Sequence, residues 1–275
     1  EEIRAICVDF ASTDTLKSTQ ENDNTVIICM SGSPNKERTH IIRNIDYIMT
    51  LSGGEKDKTL LSIRELFYYY NADVFVYDNQ QVGGDRFQEL SKPYYHEILG
   101  IQMNGFGIYG DIKLVSNFCD ETKALNLMTK VVDSNSIPCA IPVVGSSERN
   151  QNFHIAMQKA IDKKYIFFPE DEINLRRKLS DDKEFIKASS TERANRVVAH
   201  KQMNKLAVEA TELQKEIKNG YIRLFEINHH PKDRIITAIY GNYFFTQLEL
   251  KMLKGDQHED LNEEDFYDIY DVSPS

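Results

Sequence analysis

Residues 3–11, IRAICVDFA, form an apolar run that ends on a single carboxylate, Asp9. Ile3, Ala5, Ile6, Cys7 and Val8 fit a strand buried on both faces, with charge before it and Ser12-Thr13-Asp14 after it. An ionised Asp at the end of such a strand is costly to bury unless a cation or a hydrogen-bond network receives it. The same design recurs at residues 73–83, DVFVYDNQQVG, where Val74-Phe75-Val76-Tyr77 delivers Asp78 to a strand end. Two hydrophobic strands, each with an acid at its tip, are expected to be neighbours in one sheet and to share a metal ion.

The chain between and after these runs supplies the rest of such a sheet. After the polar stretch 12–24, which holds Asp14 and Asp23, residues 25–30 (TVIICM) read as a second strand, broken by Ser31-Gly32-Ser33-Pro34. Residues 40–50 read as a third, and three strands so closely linked predict an antiparallel meander. A helical pattern over 56–70 follows, with Leu60, Leu61, Ile63, Leu66, Phe67 and Tyr70 on its apolar side and Asn71 closing it. Strand–helix–strand order then predicts a right-handed crossover that sets the Asp78 strand parallel to its neighbour. Ligands sit at the carboxyl ends of such strands, so both acids are expected at one edge.

Beyond Asp78 the pattern is less regular. Residues 85–90 read as a short helix, and 91–132, rich in Gly and Tyr, take no assignment. Residues 137–145 (IPCAIPVVG) read as a strand, for which Pro138 and Pro142 argue an edge position or a short length. Residues 151–164 form an amphipathic helix, and 165–168 a brief apolar segment ended by Pro169. Residues 170–220 are charged helical sequence, in which Leu206, Val208, Leu213 and Ile217 carry a stripe and Gly220 serves as a C-cap. Residues 221–227 alternate like a strand, and 235–253 predict a long helix rich in aromatics.

Composition bounds what this body can be. At 275 residues the chain can bury a substantial core. No apolar run approaches the ~20 residues of a membrane span, and no signal-peptide pattern opens the chain. The four cysteines are widely spaced, which fits reduced core thiols. A net charge of −10 excludes a simple basic-patch nucleic-acid binder. Part of that excess sits in 256–275, read as an acidic tail after a domain spanning 1–255.

Three strands, a helix, a fourth strand, then more strand and helix is the order of a ribonuclease-H-like sheet, so the fold expected is α/β: a ribonuclease-H-like mixed sheet with flanking helices and a helical insertion. In such folds carboxylates from the first strand, the fourth strand and a late helix can converge. Asp9, Asp78 and Asp233, the last at the head of the final long helix, fill those places. Three carboxylates without a Cys/His cage point to Mg²⁺ or Mn²⁺. A pair of such ions about 4 Å apart can activate a water and stabilise the leaving oxygen of a phosphodiester. His230, less than one helical turn before Asp233, could contact metal, water or phosphate.

IRAICVDFA, VFVYDNQQVGGD and HHPKDRIITAIYGNY together resemble the nuclease domain of the large terminase subunit of tailed bacteriophages. The resemblance implies a metal-dependent endonuclease that cuts concatemeric viral double-stranded DNA during genome packaging. Carried over by position, Asp9, Asp78 and Asp233 would be metal ligands and His230 an accessory catalytic residue; Asp14 and Asp85 would lie behind them. The implied partners are an ATPase motor domain of the same full-length chain, the portal protein and the small terminase subunit, in the host cytoplasm at the viral procapsid. In that family a Walker A loop precedes the nuclease, and none occurs here. Residues 52–59, SGGEKDKT, have the wrong spacing. The start at Glu1-Glu2, directly before a core strand, fits a piece cut from a longer protein.

Plainer accounts compete at each position. A lone Asp after a strand is commonly a turn former or cap, and Asp233 could simply cap its helix. The basic series Arg193, Arg196, His200, Lys201 and Lys205, interspersed with acids, fits a solvated helix face. A phosphatase using Asp9 as nucleophile would need an acid where Ala11 stands. A non-catalytic module docking on portal or DNA, and another ribonuclease-H-like nuclease or resolvase, are the alternative functions.

Overall fold

A computed structural model describes residues 1–11, 24–52, 56–226 and 232–256. The apolar run at the start forms β1 (Ile3–Asp9), whose Ala5, Ile6, Cys7 and Val8 are wholly buried, as a strand covered on both faces requires. β2 (Asn24–Pro34) pairs antiparallel with it, Ile6 opposite Cys29, and β3 (Ile41–Ser52) pairs antiparallel with β2. The expected meander is therefore present. α1 (Lys56–Tyr69) returns the chain and ends where Asn71 takes a φ of 53°, a left-handed stop that Asn tolerates. β4 (Val74–Asp78) then lies parallel to β1, Val8 opposite Tyr77.

The segment without a sequence assignment is ordered into small elements. α2 (Gly83–Leu90) leads to a hairpin of β5 (Tyr94–His96) and β6 (Ile101–Met103). β7 (Phe106–Ile108), α3 (Ile112–Ser116) and α4 (Glu121–Met128) follow. Three-residue strands and a five-residue helix are too short to show a period, which is why no pattern emerged.

β8 (Ile137–Val143) overturns the edge alternative: it is internal, parallel to β4 on one side and β7 on the other. Its prolines are tolerated because β7 is short. The register shifts past Pro138, leaving Cys139 unopposed, and β7 ends opposite Ala140, before Pro142 is reached. α5 (Ser147–Asp162) begins on Ser146, whose hydroxyl accepts from the Arg149 N–H, and β9 (Ile166–Phe167) adds to β3.

The charged region forms α6 (Glu172–Leu179), α7 (Lys183–Lys187) and α8 (Ser190–Glu212), capped by Asp171, Asp182 and a Ser189–Glu192 capping box. The helical stripe read through Leu213 and Ile217 is wrong beyond Glu212. Those residues belong to β10 (Leu213–Lys218), paired with β11 (Tyr221–Glu226) through Asn219 at φ 54° and Gly220 at φ 82°. Gly220 closes a hairpin, not a helix.

α9 (Asp233–Asp256) is buried on nearly every side along residues 234–250, against β1, β2 and β3 and between α5 and α8. The result is a mixed α/β architecture around a seven-stranded sheet ordered β7-β8-β4-β1-β2-β3-β9, in which β2 alone runs against the rest. No helix among the described residues is long and apolar enough to cross a membrane. The acidic stretch expected as a tail, from residue 257 on, lies outside the described residues.

A candidate metal centre at the carboxyl edge of the sheet

β1 and β4 end side by side. With Val8 opposite Tyr77 in a parallel pair, Asp9 and Asp78 are the next residues on adjacent strands, flanked by Val26 of β2 and Val143 of β8. Both acids are half-buried where their strands leave the core. Past Asp9, the Ala11 N–H donates to the buried Thr25 hydroxyl at 3.1 Å, which keeps the departing chain on the sheet.

The turn after Asp78 is held tightly. One Asp78 carboxylate oxygen accepts the Gln80 N–H at 2.8 Å, and the Asn79 N–H donates to the Val143 carbonyl at 2.9 Å. A Cβ on Gly83 would collide with the Asp78 carbonyl oxygen, so only glycine lets α2 start so close to the strand tip. Burial pushes the Asp78 carboxyl above the usual range, opposed by the Gln80 N–H and by Lys123 of α4.

Tyr240 of α9 is buried within the fields of both acids. Burial first, then the fields of Asp78 and Asp9, hold its hydroxyl proton far above the ordinary tyrosine range. Its ring packs edge-on against Phe153 of α5, with centroids 5.6 Å apart. Farther down the helix, a Cβ on Gly241 would lie 2.5 Å from Cys7 Sγ and Met30 Sδ, and one on Gly32 would overlap the Phe245 ring. Gly32 pairs with Ile3 at the opposite end of β1, so α9 runs antiparallel to β1.

That direction brings the head of α9 to the acidic edge. The eight residues from Gly241 back to Asp233 cover about 12 Å of helix, whereas Cys7 to Asp9 covers only about 7 Å of strand. Asp233 therefore sits beyond the strand tips. The capping alternative for Asp233 meets a competing group: the Arg234 and Ile235 N–H groups of the first turn donate to Glu209 of α8, at 2.9 and 3.2 Å.

Asp9 and Asp78 are thus brought together; Asp233, in the first turn of α9, lies past the strand tips and is not gathered with them into the expected set of three. Among the described residues, no group of three or more His, Cys, Asp or Glu side chains is gathered closely enough to hold a metal ion. The Asp9–Asp78 pair fits a hard divalent cation as a donor set, with two neighbouring carboxylates whose charges such an ion would offset. Asp85 is exposed in the first turn of α2. His230 and Asp14 lie outside the described residues.

The sequence reading passed over three residues here. Tyr240 stood inside the quoted IYGNY run, but its orientation toward the sheet is a packing outcome. Lys123 lay in unassigned sequence. His154 of α5 has a buried Nδ1 without a hydrogen-bond partner, and burial together with Lys232 pushes its pKa down to about 4. It is therefore neutral at neutral pH.

No protein-family model, no curated protein and no solved structure matches this chain.

Proposed function

We propose that the chain is a Mg²⁺- or Mn²⁺-dependent endodeoxyribonuclease of ribonuclease-H-like fold, the nuclease domain of a phage terminase large subunit that cuts concatemeric double-stranded DNA during packaging. One observation carries the reading: Asp9 and Asp78 end neighbouring parallel strands, with α9 running antiparallel to β1 from its first residue, Asp233. The order β3-β2-β1-β4-β8 with β2 alone reversed supports the fold, since it is a three-strand meander joined by a helix to a parallel fourth strand and then a fifth.

Divalent cations, when bound, supply Lewis-acid activation of the attacking water and of the leaving oxygen. Asp9 and Asp78 would hold them from the strand tips, with Asp233 closing the site from the helix side. Tyr240 keeps its proton within the fields of both acids and so adds no negative charge to the site. Nothing in this set reads a base edge, so cutting would be nearly sequence-independent. The net charge of −10 disfavours DNA binding, so tethering through the motor domain, small subunit and portal would provide local concentration in the host cytoplasm at the procapsid.

The test is cleavage of supercoiled plasmid in Mn²⁺. The domain should nick slowly and without sequence preference, and Asp9→Asn and Asp78→Asn should each lower the rate by about two orders of magnitude or more. Undiminished cutting by both variants would refute the assignment. DNA binding with no cutting under any divalent cation would favour the non-catalytic module.

A further inference from the structure

We infer that Glu209 of α8 is a positioning residue for the metal centre: it clamps the first turn of α9 and so sets where Asp233 stands at the sheet edge. The inference rests on the proposed reading of Asp9, Asp78 and Asp233 as the ligands.

The first N–H groups of a helix need an acceptor, usually from the residue just before it. Here the acceptor comes from another helix. One Glu209 oxygen takes the Arg234 and Ile235 N–H groups at 2.9 and 3.2 Å, and the other pairs with the Arg234 guanidinium. Glu209 and Arg234 are each only 5% exposed. Arg234 Nε also donates to Gln202 Oε1 at 2.9 Å, and that same oxygen accepts the Thr50 hydroxyl of β3 at 3.1 Å. Gln202 and Glu209 are seven residues apart, two turns along one face of α8.

The chain Thr50–Gln202–Arg234–Glu209 therefore ties sheet, α8 and α9 together within the turn that begins at Asp233. A buried ion pair is a weak way to gain stability, because desolvation offsets most of the attraction. Apolar contacts would hold the two helices together equally well. What directional bonds to two backbone N–H groups add is control of the axial position and rotation of that first turn. Farther along, the close contacts at Gly241 and Gly32 set the helix on the sheet, so the clamp governs its first turn. Supporting groups of this kind tune metal sites without touching the ion.

Three single variants of the full chain, Glu209→Gln, Gln202→Ala and Asp233→Asn, test this by calorimetric Mn²⁺ titration without DNA, by the Mn²⁺ concentration giving half-maximal plasmid cleavage, and by thermal unfolding. Glu209→Gln should weaken Mn²⁺ binding about tenfold and raise the half-maximal concentration by a similar factor, with cutting recovered at saturating Mn²⁺. Gln202→Ala should shift both in the same direction by less. A residue that only supports folding would lower the melting temperature and leave Mn²⁺ affinity alone. Unchanged affinity in the folded Glu209 and Gln202 variants, beside lost binding in Asp233→Asn, overturns the inference; if Glu209→Gln does not fold, Gln202→Ala decides it. Wild-type affinity in Asp233→Asn instead brings down the ligand assignment on which it rests.

Discussion

Asp78 sets stability against the proposed metal binding at the smallest scale. Its carboxyl titrates above the ordinary value of 3.8 because burial penalises the charged form more than the Gln80 N–H and Lys123 favour it. The folded state therefore holds that proton more tightly than the unfolded chain does. Ionising Asp78 costs stability as pH rises above that ordinary value, and the cost vanishes once pH falls below it. Asp78→Asn should accordingly melt a few degrees higher than wild type at neutral pH, at roughly 2–4 °C per kcal/mol relieved. The advantage should shrink to nothing as the pH approaches about 4, measured by calorimetric scans across pH. Millimolar Mn²⁺ should raise the wild-type midpoint and leave that of the variant in place.

Elements meet this site through glycines and turns. Gly83 lets α2 begin against the Asp78 carbonyl, where the obstacle to a Cβ is backbone that cannot rotate away. Gly83→Ala should cost about 1–3 kcal/mol in urea unfolding and lower metal-dependent cutting, because the Asp78 turn must shift. The β10–β11 hairpin offers the contrast. Gly220 sits at φ 82° with open space around it, and the hairpin is anchored to α5 by the Ile222 N–H donating to Gln151 at 2.8 Å. Gly220→Val should speed amide exchange across residues 213–226 by strain in the turn, with the global midpoint nearly unmoved.

For the molecule as a whole, the same burial that presents two acids also hides every thiol. Cys7, Cys29, Cys119 and Cys139 are all buried and free, and burial pushes Cys29 to about 12 and Cys119 to about 11. A thiol reagent at pH 8 should find no reactive cysteine in the native protein and four in guanidinium. The architecture was largely legible in the chain. Continuous apolar runs marked β1, β2 and β4, and the strand–helix–strand order made β1 and β4 parallel; their adjacency and register in the sheet then set Asp9 beside Asp78. Where reading failed, two signals conflicted. At Leu213 and Ile217 a helical spacing outweighed the Asn219-Gly220 turn that in fact ends a strand. At β8, Pro138 and Pro142 were weighed without knowing how short the neighbouring strand is.

The linear chain decided the elements, their order and the parallel sense of the central pair, because hydrophobic period, chain breakers and crossover handedness all act over short separations. Packing across long separations decided the rest: that α9 runs antiparallel to β1, that Tyr240 is buried against Phe153 within the fields of Asp9 and Asp78, and that a glutamate 25 residues upstream clamps the helix start. These depend on which surfaces fit when α8, α9 and the sheet close on one another, and no local pattern encodes that fit.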